Sequence, residues 1–148
     1  MSRVVVNEIE AKVGNDITFN DTVKIDTIKG KTTAGSINVQ GEGTATTNLQ
    51  QGLSKAWGAV TNAAGVTNTL NFASGTDHGT GDFSYTLTNA YANVNHVMAS
   101  SASSAGAGRM VTSNTDRKTA SVIAVEIETH SGATEDVAQE IIGHGDLA

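Results

Sequence analysis

Apolar and polar residues alternate along several short stretches of the chain, and this predicts a protein built mainly from β-strands. The alternation is clearest at Phe83, Tyr85 and Leu87, where each intervening residue is polar. Residues 119–129 follow the same two-residue period with β-branched side chains. A strand with this pattern buries one face. We therefore expect a mainly β, β-sandwich-like module.

One stretch, residues 46–61, follows the period of an α-helix instead. Thr46, Thr47 or Asn48 can serve as its N-cap. Apolar side chains then recur at helical spacing, at Leu49, Leu53, Ala56, Trp57 and Val60. The pattern predicts one helix that packs its apolar stripe on the strand around residue 85. The expected core residues are Leu49, Leu53, Trp57, Phe83 and Tyr85.

Residues 2–40 contain several short apolar steps of period two, separated by glycines. None of the predicted strands is long enough to bury a core alone. We therefore expect residues 1–40 to form a β-rich arm that attaches to or intertwines with neighbouring chains, and residues 41–148 to form the globular module. The candidate interaction residues of the arm are Val4, Val6, Ile9, Ile17 and Phe19. The alternative is that these strands complete the sheet of the same domain.

The composition limits what the chain can be. Its 148 residues are enough for one domain, and only 4% of them are aromatic. Such a chain is poor in large core residues, which favours burial shared between intertwined subunits. There is no cysteine, so no disulfide can form. The net charge of −6 disfavours nonspecific binding to nucleic acid or anionic lipid.

The sequence also bears on location. No apolar run reaches eighteen residues, so we expect no transmembrane helix. Residues 1–10 lack the basic, apolar and small-residue order of a signal peptide, and we expect no secretion signal.

No pattern of residues indicates catalysis. The GKT at residues 30–32 lacks the earlier glycine of a phosphate-binding loop, because Ile25 occupies that position. Asp77, His78 and Asp82 surround a glycine-containing stretch and offer ligands for a divalent ion, yet Asp and Gly are also ordinary turn residues. We expect a turn there. We also expect no enzymatic activity, no cofactor and no metal site within one chain. Whether His or Asp residues of several chains bind an ion on the symmetry axis of an oligomer is left open.

Two longer stretches carry a resemblance to a known family. They are TTNLQQGLSKAW from residue 46 and GTGDFSYTLTNAYANVNHVM from residue 79. The sequence resembles a module of tailed-bacteriophage virion proteins, frequent in fibre-like and minor structural proteins of marine cyanobacterial phages. Phe83 stands in an aromatic position of the family pattern, and His96 stands where the family usually has Tyr. The resemblance covers about two-thirds of the chain, from near residue 41 to the end.

The resemblance has no catalytic motif and implies a structural role in the virion. It implies a homotrimeric fibre or fibre-adaptor protein of the tail, made in the host cytoplasm and located on the tail or capsid surface. Its partners would be its own copies and other virion proteins. One alternative is a capsid decoration or head-fibre protein. Another is a host-glycan-binding module, for which Tyr91 is the candidate exposed aromatic residue.

Overall fold

The computed structural model describes residues 20, 22–30, 37–40, 44, 46–103 and 108–146. Within these residues the chain forms ten strands and one short helix. The strands are β1 Asn38–Gln40, β2 Thr46–Asn48, β3 Ala56–Val60, β4 Val66–Leu70, β5 Phe72–Gly79, β6 Asp82–Leu87, β7 Val97–Ala102, β8 Arg109–Ser113, β9 Val122–Thr129 and β10 Gln139–His144, and the helix is α1 Leu49–Gly52.

The strands form two four-stranded sheets and a separate pair. The first sheet has the order β4-β3-β10-β7, the second has the order β5-β6-β9-β8, and β1 pairs with β2. Every pairing is antiparallel. The chain passes between the two four-stranded sheets after β4, β6, β7 and β9. The prediction of a mainly β protein is confirmed.

The two four-stranded sheets share one hydrophobic core. Alternate residues of β6 and β9 point into it, as the two-residue period predicts, and Phe83 and Tyr85 are fully buried. Strands of the first sheet supply buried side chains from the other side. The core cluster is Ala56, Val60, Ala64, Phe72, Phe83, Tyr85, Leu87, Tyr91, Ile123, Val125, Ile127 and Ile141.

Tyr85 lies at the centre of this core and connects the two sheets. Its ring packs edge-on against Phe72, with centroids 5.8 Å apart and planes at 73°. Its hydroxyl accepts a hydrogen bond from Nε2 of Gln139 on β10 at 2.9 Å. Burial raises the pKa of the Tyr85 hydroxyl above its ordinary value, partly offset by that hydrogen bond, so the group stays neutral.

Asn71 forms the corner at which the chain leaves the first sheet for the second. Its φ of 67° lies in the left-handed region, which Asn tolerates better than most residues. The side-chain Nδ2 donates to the carbonyls of Lys55, at 3.1 Å, and Asn89, at 3.0 Å. Its Oδ1 accepts from the Asn89 N–H at 2.7 Å. These bonds connect the corner to the residue before β3 and to the loop after β6.

The helix predicted over about residues 46–61 is wrong for most of its length. Only Leu49–Gly52 is helical, and Ala56–Val60 is a strand between β4 and β10. Gly52 and Gly58 each disfavour a helix interior by about 1 kcal/mol. Gly58 instead permits close packing, because an added Cβ would lie 2.8 Å from Thr69 and 2.9 Å from Phe72.

The change from helix to strand also corrects the predicted core. Trp57 points away from the core and is 40% exposed, because it alternates with the buried Ala56 and Gly58. Leu53 is 53% exposed, and Leu49 is half-buried outside the core cluster. The predictions that Leu49, Leu53 and Trp57 are core residues are therefore wrong.

The predicted boundary between arm and module, at residues 40–41, falls between two paired strands. Asn38 of β1 is opposite Asn48 of β2, and the Leu49 N–H donates to the Ile37 carbonyl at 2.9 Å. The last residues of the arm therefore pair with the first residues of the module. The division into two parts stays a prediction.

The hydrogen bond between the sheets can be tested by a double-mutant cycle. Tyr85→Phe should lower the free energy of unfolding by about 1–3 kcal/mol, because it leaves the buried Gln139 Nε2 without a partner. Gln139→Leu should cost a similar amount. The double variant should lose less than the sum, as measured by urea unfolding. Additive losses would contradict the coupling.

The exposure of Trp57 predicts an unequal effect of two aromatic truncations. Phe83→Ala removes a fully buried ring and should cost about 3–5 kcal/mol in the free energy of unfolding. Trp57→Ala removes a larger but solvent-facing ring and should cost less than half as much. Thermal and urea unfolding measure both. Equal destabilisation would show that Trp57 packs more closely than its exposure indicates.

Candidate binding face

The outer face of the first sheet carries a row of large apolar side chains. Trp57 on β3 is opposite Leu70 on β4 and Ile142 on β10, and Ile142 is opposite Ala99 on β7. Leu70 is 45% exposed and Ile142 is 38% exposed, similar to Trp57. The row crosses all four strands. The strand alternation that turns Ala56 and Ile141 inward turns these side chains outward.

A groove lies on this face beside Trp57. Its volume is about 510 Å³, within the range of small-molecule sites. The small side chains of Ala59 and Ala99 leave room between larger neighbours. On the next row, Ser101 Oγ donates to Glu140 Oε2 at 2.6 Å. We call this groove the Trp57 groove. Its lining includes Trp57, Ala59, Asn68, Ala99, Ser101, Glu140 and Ile142.

A β-bulge brings Asn68 to the groove. The pairing of β3 with β4 shifts between Gly58 and Ala59, which leaves Asn68 without an opposite residue. Its φ of 46° lies in the left-handed region. Bulges of this kind redirect a side chain relative to its strand. The Asn68 amide therefore adds a hydrogen-bonding group to the apolar face.

The outer face of the second sheet differs in character. Its central strands present polar and acidic side chains, such as Ser84, Thr86 and Glu126. His78 Nε2 and Ser84 Oγ are hydrogen-bonded at 2.8 Å. Met110 on β8 is an exposed apolar residue of that sheet, opposite Glu128. Antiparallel sheets usually have one apolar and one polar face, and the second sheet follows that rule while the first does not.

Tyr91, the predicted exposed aromatic, is buried and only 1% exposed. Its ring stacks on His96, with centroids 4.4 Å apart and planes at 15°. Gly145 makes room for this pair, because an added Cβ would lie 2.8 Å from Tyr91 and 2.9 Å from His96. The prediction that Tyr91 is an exposed interaction residue is therefore wrong.

A second, smaller pocket of about 270 Å³ lies over this stack. His96 is 2% exposed, and its ring nitrogens make no hydrogen bond of normal geometry with the described residues. Burial lowers the pKa of His96, with a further lowering from Lys118 and an opposing effect of the Asn93 backbone. Lys118 Nζ donates to the His96 carbonyl at 2.6 Å. His96 is therefore a neutral, structural residue at pH 7.

The stretch considered for a divalent ion contains a tight turn, as predicted. Asp77 Oδ1 accepts from the Gly79 N–H at 2.9 Å, the local bond typical of Asp in turns. Asp82 pairs instead with Arg117 Nε at 2.9 Å. In the part of the chain that the structure describes, no three acidic or histidine side chains are grouped as metal ligands would be.

The predicted interaction residues of the arm, Val4, Val6, Ile9, Ile17 and Phe19, lie outside the described residues. Across the described ranges, no helix is long and apolar enough to span a membrane.

Comparison with known proteins adds no relative: no protein-family model, curated protein or solved structure matches this chain. This protein is therefore described by its fold and its surface. It is a mainly β protein in which one sheet has an open apolar outer face.

Sequence reasoning missed the Trp57 groove because it assigned Trp57 to a helix. The signal was present, since Ala56, Gly58 and Val60 alternate with Trp57 and Ala59. The groove also needs Glu140 and Ser101, which are far apart in sequence and meet only through the pairing of β10 with β7.

The buried His96 predicts that stability falls in mild acid. Below about pH 6.5 the unfolded chain binds a proton on His96, whereas the native protein binds it only when the pH reaches the lowered native pKa. The free energy of unfolding therefore decreases as the pH falls through this range. Tyr91 stacks on the His96 ring, Lys118 donates to the His96 carbonyl, and Asp146 lines the adjoining pocket. The melting temperature should drop between pH 7.5 and pH 5.5, and His96→Phe should reduce that drop.

His130→Ala is the matched control, because His130 is exposed. Its melting temperature should keep the pH dependence of the parent protein. If His96→Phe retains the full drop as well, another group causes the acid sensitivity.

Proposed function

We propose that this chain is a non-enzymatic structural protein of a bacteriophage virion, a homotrimeric fibre or fibre-adaptor protein of the tail whose residues 1–40 form the assembly arm. The resemblance of its two quoted stretches to phage virion modules supports this proposal.

One observation carries the proposal: the apolar residues described before Ala56 are exposed or half-buried and lie outside the core cluster. Among the described residues, none before Ala56 belongs to the core cluster. Five large apolar side chains described before it are between 45% and 59% exposed, namely Val23, Ile25, Ile28, Val39 and Leu53, whereas Ile37 and Leu49 are half-buried. Exposed apolar side chains that form a contiguous patch mark interaction sites, and the proposed arm contact would bring these side chains together. Burial against other copies of the arm would remove them from water.

A small groove of about 190 Å³ supports the same interpretation. Val39 and Leu53 line it, together with residues of β2 and α1. It lies where the arm joins the module. A neighbouring chain that inserts an apolar side chain here would contact arm and module at once.

The positions of the core residues also support the proposal that the arm is separable from the module. Every member of the core cluster lies between residues 56 and 141. Among the described residues, the module therefore has a buried interior of its own. The same arrangement fits a capsid decoration protein, which would use the arm to attach to a different part of the particle.

The oligomeric state tests this proposal directly. The full chain should scatter light as a homotrimer, with three times the chain mass of 15.2 kDa. Deletion of residues 1–40 should give a smaller, soluble species with native-like β circular dichroism that no longer enters particles. Ile25→Ser with Ile28→Ser should weaken the trimer, while Met110→Ser, at an equally exposed site on the second sheet, should not.

A folded monomer of the full chain at micromolar concentration would contradict the trimer. Failure of the truncated chain to fold would show that the arm completes the module. A cryo-EM map of the intact particle would then distinguish tail from capsid by the position of the chain.

A further inference from the structure

The Trp57 groove has no part in the proposed assembly through the arm. Trp57 is the only tryptophan of the chain and stays 40% exposed, whereas both tyrosines are buried. A large aromatic ring that faces solvent does not gain the free energy that burial in the core would give it. The central strands of the second sheet present mainly polar side chains on the equivalent surface, such as Ser84, Thr86 and Glu126. The apolar outer face of the first sheet therefore suits contact with a ligand.

The lining of the groove combines a flat aromatic surface with hydrogen-bonding groups. Glu140 offers carboxylate acceptors, Ser101 a hydroxyl, and Asn68 both an acceptor and two donors. A sugar ring has the matching chemistry: one face of C–H groups, which meets the electron-rich face of an aromatic ring, and an edge of hydroxyls. Its size also suits a volume of about 510 Å³.

Other ligand classes fit less well. A nucleic acid needs cationic side chains along its path, and among the described residues no Lys or Arg lines the groove. A quaternary ammonium is usually held by a cage of aromatic rings, and Trp57 is the only aromatic residue of the lining. An entirely apolar ligand would leave Glu140 without a polar partner from the ligand.

We propose that the Trp57 groove is a saccharide-binding site, in which Trp57 stacks on one sugar ring and Glu140, Ser101 and Asn68 bind its hydroxyls. The Ser101 hydroxyl already donates to Glu140 at 2.6 Å, which holds that carboxylate at the edge of the groove. Glu140 keeps its second oxygen available to a sugar hydroxyl. The site is defined by the geometry of the first sheet and does not depend on the arm.

Intrinsic fluorescence gives a direct test, because all tryptophan emission of this chain comes from Trp57. The full-length protein is titrated with cellobiose, maltose, lactose and chitobiose, and with glycerol as a polyol control. At least one disaccharide should shift the emission saturably, with a dissociation constant in the millimolar range or below, and glycerol should not. No response to any of the four sugars would overturn the proposal.

Variants identify the residues responsible, with binding measured by calorimetry. Trp57→Ala and Glu140→Ala should each weaken binding at least tenfold, and Trp57→Phe, which keeps a ring, should weaken it less than Trp57→Ala. Met110→Ala is the matched control, because Met110 is a 53% exposed apolar residue of the other sheet. Its affinity should equal that of the parent. If Met110→Ala and Glu140→Ala weaken binding equally, the site is elsewhere.

Light scattering on the same samples separates this proposal from the assembly proposal. Sugar binding by a monomeric protein would support the groove and reject the trimer. A trimer whose mass falls on Trp57→Ala, without a sugar response, would show that the face is an interface between copies and overturn the saccharide site. Should Trp57→Ala fail to fold, Glu140→Ala still decides, because its side chain is exposed and lies outside the core.

Discussion

The packing of the two four-stranded sheets against each other is the constraint on which the rest of the structure depends. The chain has few large apolar residues, and both its tyrosines and two of its three phenylalanines are in the shared core. Tyr85 contacts Phe72 and bonds to Gln139, so one side chain joins the apolar packing to a polar link between the sheets. Because buried polar atoms are usually paired, that link favours the arrangement in which Tyr85 and Gln139 face each other.

This core has consequences for both surfaces of the first sheet. In β3 and β10 every second residue must point inward, so the intervening residues must point outward. In the second sheet the outward residues are mainly polar, so the need to bury the core explains the residue pattern of its central strands. In the first sheet Trp57 and Ile142 are outward, and the core does not require them. Their presence is a property of the surface, and it supports a binding role for that face.

The two proposals concern different parts of the chain. Assembly through the arm accounts for exposed apolar residues before Ala56, which have no core partner among the described residues. Saccharide binding accounts for exposed apolar residues on the open sheet. A protein with both would be held in a particle at one end and present a sugar-binding face on its module. Each property can exist without the other.

The sequence by itself determined the mainly β class and the inward residues of β6 and β9, because a two-residue period is a local property of an extended chain. It also determined the turn at Asp77, where a carboxylate bonds its own backbone. It predicted the wrong conformation for residues 56–60, since Ala56, Trp57 and Val60 fit a helical stripe as well as a strand.

Only the tertiary structure decided between a helix and a strand at residues 56–60. Pairing with β4 and with the distant β10 satisfies the backbone of β3 on both sides, and Gly58 lets Phe72 pack closely. Tyr91 is buried for a similar reason, because Gly143 and Gly145, far along the chain, leave space for its ring. Such non-local contacts decide which aromatic side chain fills the core and which one faces solvent.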